Sequence, residues 1–353
     1  MKRVSSLGQG LLALFLAAAP PVSAGEGTQT GAQTGPYLVV LGTAQDGGLP
    51  QIGCEAAPCR AARRSPLRLE GGEVTGLERY PTCLLLVDPR KTPSAGEGSR
   101  WLFEATPELP RQVALARDLG HMPAPAAGRP ALFDGLFLTH AHMGHYSGLV
   151  HLGREAWGGA PLPVYASPRM LEFLRTNGPW SLLLEDSRHL RAAPLRAGSP
   201  LRLAADLHVE AIPVPHRDEL SDTMAFLIQG PEHSALFLPD IDKWSIWDSW
   251  PGGARRLEDV LEKVDVALLD ATFFADGEIP GRSMADIPHP FVVETLERIA
   301  PLSPELRAKV HFIHLNHTNP LASPGSAAAE EVSAAGCKVL REGDVLHLGA
   351  GER

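Results

Sequence analysis

Several features that would assign a chain to a common functional class are scarce or absent in this sequence. No Lys/Arg-rich block occurs among its 353 residues, and the formal net charge is −9. Both facts argue against a nucleic-acid partner, because phosphate binding needs a basic patch. No apolar run reaches the roughly 18 residues typical of a membrane-spanning helix. We therefore expect a small-molecule substrate and no membrane anchor, and the oligomeric state is left open.

Linkers and repeats are also absent. No Ser/Gly-rich segment divides the chain, and no unit of 20–50 residues recurs. What the sequence does have is a globular balance of 44% apolar and 21% charged residues. It also has 35 glycines and 32 prolines, which indicate many turns and loops. A single domain with a packed core is the simplest interpretation.

The first residues have the pattern of a signal peptide. Lys2 and Arg3 precede a short apolar stretch, Leu11 to Val22, and small residues end the segment at Ala24. We predict a signal peptide over 1–24, a flexible leader over 25–35 and a folded domain over 36–350. The protein is then expected to be exported, to the periplasm or beyond the cell. Removal of the signal peptide would leave 30 basic and 41 acidic residues.

Short apolar runs and helical patterns share the rest of the chain. The early strands follow one another closely, whereas the later ones alternate with helices, which predicts an α/β fold with a partly antiparallel sheet. Helices are predicted over 109–119, 147–156, 169–177, 255–264, 290–299 and 326–334. Strands are predicted over 37–42, 83–88, 101–105, 136–139, 163–166, 207–214, 223–228, 235–239, 266–270, 310–314 and 345–348.

The strongest chemical pattern is the motif Thr139-His140-Ala141-His142-Met143-Gly144-His145. It follows an apolar run and precedes a helical stretch. His140 and His142 are two residues apart, so in extended chain their side chains point to the same side. His145 can return to that side as the chain turns. Neutral imidazole is the commonest metal ligand in proteins, so the motif predicts a metal site.

Three further candidates each follow an apolar run later in the chain. His216 ends EAIPVPH, Asp240 ends ALFLPD and His314 ends VHFIH. Ligands of α/β proteins collect at the carboxyl ends of strands, so we expect these side chains to join the three histidines of the motif.

The order of these six residues resembles that of the metallo-β-lactamase superfamily. Other segments resemble the branch that contains coenzyme PQQ biosynthesis protein B. These segments are LGTAQDGGLPQIGC near the start, FEATPELPRQV at 103–113, LDATFF at 269–274 and FIHLNHTNPL at 312–321.

The resemblance implies an αββα sandwich of two mixed sheets with helices outside and metals at one edge. It implies one metal held by His140, His142 and His216. A second would be held by His145, His314 and an aspartate at position 144, with Asp240 bridging both. Position 144 is glycine here. We therefore expect one tight zinc site and a second that is weak or absent, with iron or manganese as other possible metals.

Two reaction types suit these ligands. Three imidazoles and an open position suit a hydrolytic zinc site, because zinc lowers the pKa of bound water from 15.7 to about 7. Asp240 would orient the resulting nucleophile, and His289 is a candidate general acid. The bond cleaved would be an ester, lactone, amide or phosphodiester. Alternatively, His145, Asp240 and His314 match the two-histidine, one-carboxylate set of iron oxygenases. A binding protein without catalysis is the third possibility.

Other residues near these motifs are candidates for supporting roles. Asp46 or His317 could supply the ligand that Gly144 lacks, and Asp270 could be an outer carboxylate that holds a ligand histidine. Cys54 and Cys59 could form a disulfide, remain free thiols or bind a metal. The branch usually has a C-x-C-x-x-C loop that binds a structural zinc, and the spacing of Cys54 and Cys59 departs from that pattern.

Overall fold

The computed structural model describes residues 35–349, apart from 91–97, 124–126, 187, 280, 282 and 285. The predicted signal peptide (1–24) and residues 25–34 of the predicted leader lie outside the described residues. Within the described ranges, no helix has both the length and the apolarity to span a membrane.

Two seven-stranded mixed sheets form the centre of the fold. From edge to edge, the first has the order β16-β1-β4-β5-β6-β7-β8 and the second β15-β14-β13-β12-β11-β10-β9, while β2 and β3 form a separate hairpin. The strands are β1 (Tyr37–Gly42), β2 (Arg68–Glu70), β3 (Glu73–Thr75), β4 (Cys83–Asp88), β5 (Ser99–Phe103), β6 (Gly135–Phe137), β7 (Leu162–Ala166), β8 (Leu190–Pro194), β9 (Leu201–Ala204), β10 (Leu207–Val214), β11 (Thr223–Gln229), β12 (Ser234–Leu238), β13 (Val266–Asp270), β14 (Val310–Ile313), β15 (Lys338–Val339) and β16 (Val345–His347).

The central strands are apolar throughout because both of their faces are buried. In β1, Leu38 and Val40 face the second sheet, whereas Val39 and Leu41 face the outer helices. Side chains alternate between faces along a strand, so a continuous apolar run supplies two cores at once. Four phenylalanines interlock the sheets, with Phe103 stacked on Phe137 at 4.7 Å and in edge contact with Phe226 and Phe237.

Helices cover both outer faces of the sheet pair. On the first sheet lie α2 (Leu109–Asp118) and α4 (Pro168–Thr176), and on the second lie α6 (Leu257–Leu261), α7 (Val292–Ile299) and α9 (Ala327–Ala334). The predicted sandwich is therefore confirmed.

One predicted helix is wrong: residues 147–156 form only a 3₁₀ helix, Ser147–Leu152. The α-helices are α1 (Ala57–Arg64), α2 (Leu109–Asp118), α3 (Met143–Tyr146), α4 (Pro168–Thr176), α5 (Trp244–Trp247), α6 (Leu257–Leu261), α7 (Val292–Ile299), α8 (Pro304–Arg307) and α9 (Ala327–Ala334).

Parallel pairing gathers several strand ends at one edge of the sandwich. In the first sheet β5, β6 and β7 are parallel, and in the second β12, β13 and β14 are parallel. Their carboxyl ends therefore open toward the same edge within each sheet. Loops at such ends are where α/β folds collect functional side chains.

Candidate metal centre

All six residues predicted as ligands meet at these strand ends. His140 and His142 follow β6, and His145 lies in α3. From the second sheet, His216 follows β10, Asp240 follows β12 and His314 follows β14. Local geometry at the end of β14 is unusual, because His314 has a φ of +68°, a left-handed conformation that a residue with a side chain rarely adopts.

The first group of donors comprises His140, His142 and His216. One ring nitrogen from each lies within 4.8 Å of the others, and His140 Nε2 is 2.8 Å from His142 Nδ1. The predicted convergence of these three side chains is thus found. His216 Nε2 is also 3.6 Å from Asp240 Oδ1, which connects this group to the next.

The second group comprises His145, His314 and Asp46. His145 Nε2 is 3.0 Å from Asp46 Oδ1, and His314 Nε2 is 3.9 Å from the same oxygen. Asp240 Oδ2 lies 3.1 Å from His145 Nε2 and 3.2 Å from His314 Nε2. Asp240 therefore stands between both groups, one oxygen toward each. The expected weakness of a second site rested on a missing carboxylate, and Asp46 brings one to this place.

The donor atoms fit a bound cation and not a network of hydrogen bonds. The nitrogens His145 Nε2, His216 Nε2 and His314 Nε2 are buried without a hydrogen-bond partner, as are Asp46 Oδ1 and Asp240 Oδ2. Leaving so many buried polar atoms unpaired would be costly, whereas a divalent cation would satisfy them together. Imidazole and carboxylate are ligands that suit zinc, iron and manganese.

The electrostatics of the cluster favour the same conclusion. Burial, together with the charge of His145, holds the pKa of His140 well below 6.5, and burial also lowers the pKa of His142. Both rings are therefore in the neutral form that binds metals. Burial opposes charge on His145 as well, but the nearby carboxylates of Glu104, Asp240 and Asp46 raise its pKa well above 6.5. The surroundings of His145 thus stabilise positive charge.

Outer partners fix which nitrogen of a ligand ring is free. The Thr272 hydroxyl donates its proton to Asp270 Oδ1 (2.7 Å), so its oxygen, Thr272 Oγ1, accepts from His314 Nδ1 at 2.9 Å. His314 Nε2 then carries the lone pair that faces the cluster. Asp270 was predicted to hold a ligand histidine, and it reaches His314 through Thr272.

Glu104 is an outer partner that the sequence did not reveal. Its carboxylate is fully buried, and Oε1 lies 3.3 Å from His145 Nδ1. Its backbone adopts a φ of +73° immediately after β5. A strained conformation at a buried charge is typical of functional sites. A charged residue at the end of the apolar run WLFEA was the available clue.

His289 lies at the border between the cluster and a cavity. Its Nδ1 is 2.7 Å from Asp270 Oδ2 and 3.8 Å from Asp240 Oδ1. Burial disfavours its charged form, but the charge and hydrogen bond of Asp270 together with the charge of Asp240 outweigh burial and raise the pKa of His289 to about 9. The cavity has a volume of about 510 Å³, and its polar lining includes Gln45, Arg217, His289 and Asn316.

Cys54 and Cys59 lie beside His317, outside the main cluster. Both cysteines are free thiols, and the sulfurs lie within 4.8 Å of a ring nitrogen of His317. The suggestion that His317 completes the second group is therefore wrong, because the cysteine pair occupies its neighbourhood. The structure does not form the disulfide that was one of the three possibilities.

Comparison with known proteins places this geometry in a family. The model of the beta-lactamase superfamily domain matches residues 99–314, more than half of the chain. Coenzyme PQQ synthesis protein B of Ruegeria pomeroyi is 27% identical over 321 residues, covering 87% of this chain and 98% of that protein. The corresponding Klebsiella pneumoniae protein is 26% identical over 333 residues, covering 88% and 98%.

Solved structures agree on the fold. Zn²⁺-bound PqqB from Methylobacterium extorquens superposes with a TM-score of 0.68 at 20% identity, covering 88% of this chain and 100% of that one. A diphosphatase from the PhnP family gives a TM-score of 0.54 at 18% identity, covering 88% and 96%. The chain therefore belongs to the beta-lactamase superfamily, as a PqqB-like member with the metallo-β-lactamase fold.

Proposed function

We propose that this protein is a metal-dependent hydrolase. The observation that carries the proposal is the set of buried, unpartnered imidazole and carboxylate atoms beside an open cavity. Divalent cations held there by His140, His142 and His216, and by Asp46, His145 and His314, would supply Lewis acidity and lower the pKa of a coordinated water.

Two side chains of the chain itself have the placement for proton transfer. Asp240 lies between the two donor groups, where it can orient an attacking water and accept its proton. His289 has its Nδ1 held by Asp270, which leaves Nε2 as the nitrogen available to a substrate in the cavity. We assign His289 the donation of a proton to the departing group.

The cavity lining favours a small substrate with negative charge. Arg217 and His289 both line it and outnumber its one carboxylate, Asp286, and the side chains of Gln45, Gln51 and Asn316 add amide donors. Arginine is well suited to phosphate and carboxylate groups because its guanidinium presents a planar set of donors. One neighbour in fold is described as a diphosphatase. Phosphodiesters and diphosphates are therefore the first substrates to test, before esters, lactones and amides.

The test begins with protein purified without added metal, whose metal content is measured. The protein is then assayed on phosphodiester, diphosphate, ester and lactone substrates. We expect zinc, or manganese, and turnover of an anionic ester that is abolished by a chelator. His289→Gln should lose turnover while it keeps its metal. The control His233→Gln, which changes an exposed histidine, should have the turnover and metal content of wild type. Stoichiometric metal without hydrolysis of any substrate in the panel would contradict the proposal.

A second candidate is an oxidative role related to PQQ. Two relatives are named for synthesis of coenzyme PQQ. His145, Asp240 and His314 also provide two histidines and a carboxylate, which suit non-haem iron. Iron in the purified protein, with oxygen uptake and no hydrolysis, would favour this candidate over the first.

Export is part of the proposal and is supported by the basic and apolar pattern of residues 1–24. Fractionation of cells that express the full chain, with N-terminal sequencing of the product, tests it. A mature chain that begins near Gly25 is expected, and an uncleaved cytoplasmic product would contradict it.

A further inference from the structure

Gly144 occupies the position where the resemblance calls for an aspartate ligand, and its missing side chain has a structural consequence. A Cβ atom built on Gly144 would lie 2.2 Å from Asp46 Oδ1 and 2.4 Å from Asp46 Cα. Contacts this short do not occur, so any side chain at 144 would exclude Asp46 from its place. The φ of Gly144 is not in the left-handed region, so the backbone there does not require glycine. Glycine at 144 therefore leaves space for Asp46, and the backbone conformation is not the reason for it.

The loop that delivers Asp46 is tied to the ligand strands by backbone hydrogen bonds. Gln45 N donates to Leu315 O (2.8 Å), and Leu315 N donates to Thr43 O (2.8 Å). Leu315 directly follows His314, so Asp46 and His314 are held in a fixed relation by adjacent backbone. Gly48, with a φ of +66°, closes the turn through a bond from its N to Gln45 O. Asp46 is therefore positioned by the fold before any ligand binds.

The position of Asp46 completes a set of donors. Its Oδ1 is buried and unpartnered, 3.0 Å from His145 Nε2 and 3.9 Å from His314 Nε2. Asp240 Oδ2 is also close to both ring nitrogens, at 3.1 and 3.2 Å, so the two histidines have a carboxylate oxygen from each of two aspartates beside them. Four ligands are the usual complement of a tightly held zinc ion.

We infer that Asp46 is a ligand of a second divalent cation and replaces the carboxylate that Gly144 cannot supply, so that Asp46 and Gly144 act as a coupled pair. The ligand has moved from the start of α3 to the loop after β1. The inference rests on the proposed function because it concerns the same centre. It predicts two cations of comparable affinity per chain, and it predicts that an aspartate introduced at 144 cannot strengthen the centre while Asp46 is present.

The main test measures metal binding and not activity. Metal-free wild type, Asp46→Asn and the control Asp259→Asn are titrated with Zn²⁺ by calorimetry and with Co²⁺ by absorbance. Asp259 is an exposed carboxylate on α6, so its variant removes the same charge elsewhere. We expect two ions in wild type and in the control. In Asp46→Asn the second ion should bind more weakly, by more than the roughly 10–100-fold cost of losing an outer partner.

A second pair of variants tests the coupling. Gly144→Ala removes no donor atom, yet its methyl group must displace Asp46, so the second ion should weaken as in Asp46→Asn. Gly47→Ala is the matched control, because a Cβ at Gly47 meets only the flexible Gln51 side chain, at 3.3 Å. Thermal unfolding of each metal-free variant establishes that it is folded. If Gly144→Ala does not fold, Asp46→Asn alone decides the ligand assignment.

The inference would be overturned if Asp46→Asn bound both ions with the affinities of wild type. It would also be overturned if wild type bound only one ion and Asp46→Asn bound that ion equally tightly. A folded Gly144→Ala that binds two ions as tightly as wild type would overturn the coupling. These results are distinct from failure of the proposed function. If the protein binds two ions but hydrolyses no substrate, only the proposed hydrolase function is refuted. If Asp46→Asn hydrolyses substrate as fast as wild type, only the assignment of Asp46 as a metal ligand is refuted.

Discussion

Acidification should weaken the fold through one buried histidine that lies away from the metal centre. His311 is in β14, is 6% exposed, and its Nδ1 has no hydrogen-bond partner. Its register partner in β15 is Lys338. His311 lines a cavity of about 500 Å³, and the charged side chains of Lys338, Arg341 and Asp344 line it as well. Burial, reinforced by the charge of Lys338, lowers the pKa of His311 from 6.5 to about 4.

The sign and size of the effect follow from proton binding. Between pH 6.5 and about 4 the unfolded chain protonates His311 while the folded chain does not, so stability falls as the pH falls. One pKa unit corresponds to about 1.4 kcal/mol, so the full effect, reached below pH 4, is about 3 kcal/mol. At pH 5 the same relation gives about 2 kcal/mol.

The assay compares wild type with His311→Phe, which keeps a planar ring but cannot be protonated. Urea unfolding of chelator-treated protein at pH 7 and pH 5 gives the free energy of unfolding without a contribution from bound metal. Wild type should lose about 2 kcal/mol more than His311→Phe over this interval. His233→Phe, at an exposed histidine, should behave as wild type. Equal losses in wild type and His311→Phe would refute the reasoning.

Three further variants test the site and the core. Glu104→Gln should weaken binding of the cation beside His145 by roughly 10–100-fold in a Zn²⁺ titration, because it removes the charge behind that ring; unchanged affinity would exclude this role. Asp240→Asn should abolish turnover while the melting temperature of the metal-free protein shifts by only a few degrees, and normal turnover would remove Asp240 from the mechanism. Phe226→Ala should cost about 3–5 kcal/mol in urea unfolding, because its ring fills the space between the sheets; a loss below about 1 kcal/mol would show that the core closes around the gap.

The sequence predicted best those strands whose two faces are both buried. The bounds of β1, β4 and β13 agree with the prediction to the residue. An unbroken apolar run with clear ends defines such strands. The edge strands β8 and β9 were missed, because they contain arginines and exposed positions and have little apolar periodicity. The assignment of strands to two facing sheets came only from the resemblance, since pairing between distant segments has no local pattern.

The residues of the site also divide into those that the sequence predicted and those that it missed. His140, His142 and His145 were found from local spacing, because neighbouring ligands leave a readable motif. Glu104 could not be ranked above other acidic residues, since its importance comes from distance to a histidine on another element. The role of Asp46 depends on its fitting into the space that a side chain at position 144 would occupy, and only the folded backbone shows this. A missing side chain in a motif can therefore mark a relocated ligand and not a lost one.

The ligands of the candidate centre come from both layers of the sandwich. Asp46 and His140 follow strands of the first sheet, whereas His216, Asp240 and His314 follow strands of the second. Bound cations would therefore act as cross-links between the sheets, and metal binding would add to folding stability by mass action, about 2.7 kcal/mol at a free concentration 100 times Kd. Metal supply would then govern how long the protein survives proteolysis, in addition to whether it is active.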